Sequence, residues 1–253
     1  MLSKLIDTNV MLGTIPHYAR TATTEDLLKL MDQYGITSAV AWHSGARQDP
    51  AEFNAEMRAA ATDSSGRIQY CALLDVALME ESLRGCGDLS ARLRADRPVA
   101  IKLFPKREGT PFLPFFYGSL LEVLEKFRLP VLLDWEQLSA PEHLIESART
   151  YPQLPLVIFR GSGSNIRVML PLLKQFPNIY ADMSILIDAG GLEVWARSLG
   201  STRQLLWGSG LPYNLPPGGL GLIYYARLPV EDKEGIAFAN WERLMEEVNY
   251  ENC

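Results

Sequence analysis

Residues 130–161, PVLLDWEQLSAPEHLIESARTYPQLPLVIFRG, place two apolar runs of strand length around one amphipathic stretch. Pro130–Trp135 and Pro155–Gly161 are rich in Val, Leu, Ile and aromatics, with little polar alternation. That is the pattern of parallel strands buried on both faces. Between them, Ser139 followed by Ala140, Pro141 and Glu142 predicts a capped helix start with proline in its first turn, running to Arg149. The same alternation extends to both ends of the chain. Strand-like runs occur at Lys4–Asn9, Ser38–His43, Ile68–Val76, Ala100–Pro105, Ile179–Ser184 and Leu205–Gly210. Helical patterns start at Thr24 and end near Gly35, then cover Ile166–Phe176, Leu192–Leu199 and Val230–Val248. Eight strands separated by helices, with no Gly/Ser/Pro linker, read as one α/β domain, a single (β/α)8 TIM barrel, regular or distorted, over residues 1–253. A doubly wound open sheet shares the alternation, but no GxGxxG or phosphate loop follows the first strand.

The composition fits that reading. The 253 residues are 47% hydrophobic and 21% charged, which excludes a disordered or fibrous chain. A net charge of -6 argues against a nucleic-acid partner, because phosphate binding needs a basic face. The start MLSKLIDTNV shows no signal-peptide pattern, and no run approaches the ~18 apolar residues of a membrane span. A cytoplasmic protein without membrane contact is expected. Cys71, Cys86 and Cys253 match no metal or disulfide spacing and are expected as free thiols. The only histidines are His17, His43 and His143, which excludes a site of four imidazoles.

In a barrel of this kind the reactive groups stand at the C-terminal ends of the strands. Asp7, His43, Lys102 and Asp134 are the candidate catalytic residues there, and Asn9, Arg160, Asp182, Ser184 and Ser209 are the candidate substrate-binding residues. Asp75, Lys106, Glu136 and Gln137 are further polar residues at strand ends. Lys102 inside AIKLFP is the sharpest anomaly, since a lysine buried in an apolar strand needs a partner. Asp75, Asp134 or a substrate carboxylate would serve. Arg160 in LVIFRGSG poses the same problem with a group that stays charged, and Asp134 is its expected counter-ion. Each of these has a structural alternative: a buried Lys/Arg–Asp network that only holds the barrel together. The apolar stretch Pro111–Tyr117 and the Leu215–Gly219 loop border the mouth, and the former is a candidate surface for a homo-oligomer.

Leu5-Ile6-Asp7, LLKLMDQYGITSAV (27–40), FPNIYADMS (176–184), LLWGSGLP (205–212) and IAFANWERL (236–244), in this order, resemble the amidohydrolase-related family of metal-dependent TIM-barrel hydrolases. The resemblance implies the barrel fold and hydrolase-type chemistry. It also implies an Asp-x-His-x-His motif on the first strand, where this chain keeps Asp7 but carries Asn9 and Met11. The fifth- and sixth-strand histidines align with Asp134 and Arg160, and Gly-Ser-Asp near the eighth strand reads Gly208-Ser209-Gly210. The chain is thus similar to a divergent branch that lacks the usual metal ligands. The expected protein is a metal-independent hydrolase or lyase with no cofactor, acting on a small, anionic carboxylate or carbonyl compound. Two rivals stay open. One is a catalytically inactive ligand-binding barrel. The other is a hydrolase with a rearranged metal site built from Asp7, His43, Asp134 and Asp182.

Overall fold

A computed structural model describes residues 2–15, 21–74 and 86–251. The strands are β1 (Ile6–Thr14), β2 (Thr21–Ala22), β3 (Ser38–His43), β4 (Ile68–Leu73), β5 (Ala100–Leu103), β6 (Val131–Asp134), β7 (Leu156–Phe159), β8 (Ile179–Asp182) and β9 (Leu205–Leu206). The helices are α1 (Thr24–Tyr34), α2 (Pro50–Asp63), α3 (Cys86–Asp96), α4 (Pro114–Phe127), α5 (Pro141–Thr150), α6 (Ile166–Gln175), α7 (Gly191–Leu199), α8 (Pro216–Tyr225), α9 (Val230–Glu234) and α10 (Asn240–Glu247). The sheet order is β2-β1-β3-β4-β5-β6-β7-β8-β9, with every pairing parallel except the short β1–β2 hairpin. This is the expected barrel in a distorted form, because no ladder joins β9 to β1.

That seam is closed in another way. Residues 207–211 leave the strand geometry expected for Leu205–Gly210 and cross to β1, where Thr8 N–H donates to Trp207 O (3.1 Å), Gly210 N–H to Asn9 O (3.1 Å) and Met11 N–H to Leu211 O (2.9 Å). A register shift in β1 between Asp7 and Val10 makes room for the crossing.

Local sequence sets the helices. Thr23 and Asp26 form a capping box on α1, and Gly35 ends that helix at φ 68°. At α5 the expected cap is displaced: Ala140 holds the cap position without a side-chain bond, and Pro141 opens the helix. Two stretches read as loops are helix starts, since Pro114 opens α4 and Pro216 opens α8. The start of α4 buries Tyr117 and leaves Phe115 87% exposed. The single helix expected over Val230–Val248 is α9, one π-turn at Gly235–Ala239, and α10.

Most helix-facing residues form one large core outside the barrel. A smaller core fills the lumen with Ile6, Val40, Cys71, Ala100, Leu132, Val157 and Leu206. Trp241 and Leu244 of α10 belong to it, and Trp241 donates to Gln69 Oε1 at 2.9 Å. The last helix therefore packs into the N-terminal end of the barrel, opposite the C-terminal mouth. Among the described residues no helix is long and apolar enough to cross a membrane.

Candidate active site

Lys102 lies in the middle of β5, level with Leu73 and Leu132 on the neighbouring strands. It faces the lumen and is 1% exposed. Its ammonium pairs with Asp134 Oδ2 at 2.9 Å. It also sits 4.4 Å from the centre of the Phe159 ring, 5.4 Å from Phe104 and 6.0 Å from Trp42. A carboxylate and three ring faces thus replace the water that the ammonium gave up on folding. Asp134, the last residue of β6, keeps 21% of its side chain exposed and so opens the pair to the mouth.

Above the pair is a cavity of about 370 Å³, lined among others by Asn9, Trp42, Arg47, Ser184 and Tyr213 as well as Lys102 and Asp134. Arg47, in the short helical turn after β3, lays its guanidinium 5.7 Å from the centres of both the Trp42 and Phe104 rings. One nitrogen, Nε, donates to Ser44 O at 3.3 Å. Burial, then repulsion by Arg107, pulls the Arg47 pKa down, while Tyr213 and Asp134 act in the opposite sense. Asp134 is already engaged by Lys102, so an anion entering the cavity would relieve Arg47.

The structure brings Asn9, Lys102, Asp134, Arg160 and Ser184 to this cavity. Asp7 and Asp182 do not line the cavity: both are fully buried, and Ser209 is used in the β9–β1 crossing, where its N–H donates to Asp7. Two expectations are corrected. Arg160 is not buried and does not pair with Asp134. It follows the lumen-facing Phe159, takes a left-handed φ of 57°, and pairs at the rim with Glu136 at 2.9 Å, with 45% of its side chain exposed. His43 follows the lumen-facing Trp42 and points out of the barrel. It stacks on Phe53 at 4.5 Å and accepts the Gly45 N–H at Nδ1. Burial holds its imidazole below the usual value, partly offset by Glu56. Asp75 and His17 fall outside the described residues. Arg47 escaped the sequence reading, although its place four residues beyond a strand end is where a barrel carries site residues.

A metal centre of the kind the family resemblance implies does not fit this donor set. The lumen offers Asn9 and Met11 on β1, Phe159 on β7 and Gly210 beyond β9, and Asp134, the acid at such a place among the described residues, is held by an ammonium. Among the described residues no three His, Cys, Asp or Glu side chains cluster to hold an ion. The rearranged site of Asp7, His43, Asp134 and Asp182 is not assembled either, since His43 lies outside the barrel.

Several solved structures share this fold. An uncharacterized TIM-barrel protein from Bordetella bronchiseptica superposes with a TM-score of 0.75 at 14% identity, covering 97% of this chain and 99% of that one. The 2,6-dihydroxybenzoate decarboxylase from Rhizobium gives 0.73 at 14% identity, with 96% and 98% covered. The 5-carboxyvanillate decarboxylase from Novosphingobium aromaticivorans, solved with bound manganese, gives 0.77 at 12% identity, with 96% and 97% covered. No curated protein sequence matches the chain. The family model described as amidohydrolase matches residues 13–244, nearly the whole barrel, and the chain belongs to the amidohydrolase family.

Proposed function

We propose that this barrel is an enzyme that breaks a bond in a small carboxylate or carbonyl compound, by lyase or hydrolase chemistry that needs no divalent metal. The observation that carries the reading is the Lys102–Asp134 pair, a fixed cation at the floor of the mouth cavity where an amidohydrolase fold would otherwise need metal ligands. Arg47 would hold the carboxylate, because its guanidinium is fixed over two rings with its outer nitrogens left to bind. The Lys102 ammonium would face the negative charge that develops at the reacting carbonyl or carbon, in a site that excludes most water. It would then donate the proton that the product needs, becoming a neutral amine, and regain a proton from water reaching the pair at the exposed edge of Asp134. Asn9 and Ser184 add polar contacts on the wall, and Trp42 and Phe104 suit a planar substrate. Two of the similar structures, both decarboxylases of small aromatic carboxylates, support that class by analogy of fold alone.

The test is a panel of keto acids, aromatic carboxylates, esters and lactones offered to chelator-treated protein, with release of carbon dioxide or free acid as the readout. Turnover that persists with chelator and disappears in Lys102→Met supports the reading, and the product tells lyase from hydrolase. Activity that returns only with added manganese or zinc overturns it. Saturable binding without turnover makes the protein a ligand-binding descendant of the family. Borohydride trapping with the keto acids adds one distinction: a covalent adduct on Lys102 would make it a nucleophile rather than a proton donor.

A further inference from the structure

The β9–β1 crossing encloses two carboxyl groups that the proposed reaction does not use. Asp7 on β1 and Asp182 at the end of β8 are both 0% exposed. Each has one oxygen bonded. Asp7 Oδ1 accepts from Ser209 N–H (2.8 Å) and Asn9 N–H (3.1 Å). Asp182 Oδ1 accepts from Ser184 N–H (3.2 Å), from the Ser184 hydroxyl and from the Asn9 amide (3.5 Å). The Oδ2 atoms of both are buried without a hydrogen-bond partner among the described residues. The chain at Gly208 and Ser209 lies against both carboxyls. A Cβ on Gly208 would stand 2.5 Å from Asp182 Oδ2 and 2.6 Å from Asn9 Cβ, and the next N–H is the one bonded to Asp7.

The lumen supplies no charge to balance them among the described residues. Lys102 on β5 is committed to Asp134 on β6. Cys71 on β4 is kept neutral, its thiol pushed up to about 12 by burial. The rest of the lumen core is apolar or aromatic, with Val40 and Trp42 on β3, Val157 and Phe159 on β7, Tyr180 on β8, Leu206 on β9, and Trp241 and Leu244 of α10. Two ionised carboxylates here would be like charges in a closed, poorly polarisable space.

We propose that the sealed carboxyls of Asp7 and Asp182 are protonated in mildly acid solution, and that these two carboxyls close the β9–β1 seam and set Asn9 and Ser184 on the cavity wall. Burial is the first cause that lifts both groups, Asp7 to about 6 and Asp182 to about 7, and the charge of Asp7 adds to the rise of Asp182. A divalent cation is the rival occupant, but hard cations take about six oxygen ligands, and the close approach of Gly208 leaves the pair no such shell.

Both folded values lie above the ordinary carboxylate value of about 4, so the folded chain keeps protons that the unfolded chain releases. The pair therefore costs no stability below about pH 4. Its cost grows as the pH rises towards the folded values of about 6 and 7 and is constant above them.

The experiment compares wild type with Asp182→Asn and Asp7→Asn from pH 5 to pH 8, and follows the carboxyl carbonyl band of aspartate-labelled wild type by infrared spectroscopy. The ratio of wild-type to Asp182→Asn unfolding constants should rise by up to about tenfold per pH unit to near pH 7 and then level off. The intact wild type should show a protonated, buried carboxyl at pH 6 that is lost by pH 8. A pH-independent ratio, or no protonated band at pH 6, overturns the proposal. So does a rise in Tm on adding magnesium, calcium, manganese or zinc that Asp182→Asn abolishes, since that would place a cation there. Should the variants fail to fold, the infrared titration of the intact protein decides. No substrate enters any of these measurements, so the outcome is independent of the proposed reaction.

Discussion

Two pairs of ionisable groups are buried in this barrel and solve burial in opposite ways. Lys102 and Asp134 neutralise each other at 2.9 Å, with ring faces around the ammonium and solvent reaching the carboxylate. Asp7 and Asp182 carry the same sign, are fully sealed, and have burial as the first cause of their raised pKa values. The first pair opens to the cavity and can meet a ligand. The second lies in the seam and can reach the cavity only through Asn9 and Ser184. Charge at a barrel mouth thus divides into a part presented to substrate and a part that keeps the walls in place.

The largest effect should come from taking one partner away from the buried cation. Asp134→Ala leaves the Lys102 ammonium with neither water nor carboxylate and should cost about 3–5 kcal/mol in urea unfolding. Lys102→Met leaves instead a carboxylate that is 21% exposed and able to hydrate, so its cost should be clearly smaller. Equal losses would break the view that the ammonium is the stranded member. Turnover separates the same residues differently. Once a substrate is found, Lys102→Met should lower kcat by about 10²–10³, whereas Arg47→Ala should act mainly by raising KM, because it removes a contact made equally in the ground state.

A middle-sized effect tests the seam. Gly208→Ala would press its new methyl against the Asp182 carboxyl and the Asn9 side chain, at 2.5 and 2.6 Å, where neither has free space. About 1–3 kcal/mol of destabilisation is expected, as for other overpacked sites. Gly35→Ala provides the contrast. Its Cβ would meet nothing within 4 Å, so only the left-handed φ of 68° penalises it. If the two substitutions cost the same, steric closure of the seam is not what Gly208 provides.

The fold was legible because the strands are short apolar runs that nothing else in the chain imitates, and because Gly35 and Pro141 punctuate the helices by local chemistry, although the α1 cap falls at Thr23, one residue before the Thr24 start. Lys102 was legible for the same reason, as a charge where the run forbids one. What sequence reading lost was parity. Side chains alternate along a strand, so once Trp42 and Phe159 face the lumen, His43 and Arg160 cannot. Polar residues draw the eye at strand ends, yet the inward positions there are aromatic. Arg47 was lost for a different reason: in a turn it looks like any solvated arginine, and only the packed Trp42 and Phe104 rings beneath it give it a place.

The rim supplies the smallest and most discriminating test. Arg160 and Glu136 are as close as Lys102 and Asp134, at 2.9 Å, but their side chains are 45% and 54% exposed. In water the Coulomb gain is screened and is offset by the entropy of holding two long side chains, so such pairs are worth about 0–1 kcal/mol. A double-mutant cycle on Arg160→Ala and Glu136→Ala should give a coupling in that range that shrinks further in high salt. The Lys102–Asp134 cycle, measured beside it, should give a larger coupling with little salt dependence, because burial rather than distance sets its strength. If the rim pair proved equally strong and equally insensitive to salt, Arg160 would be as fixed at the cavity edge as the lumen lysine is at its floor, and the division between presented and structural charge would have to be redrawn to include it.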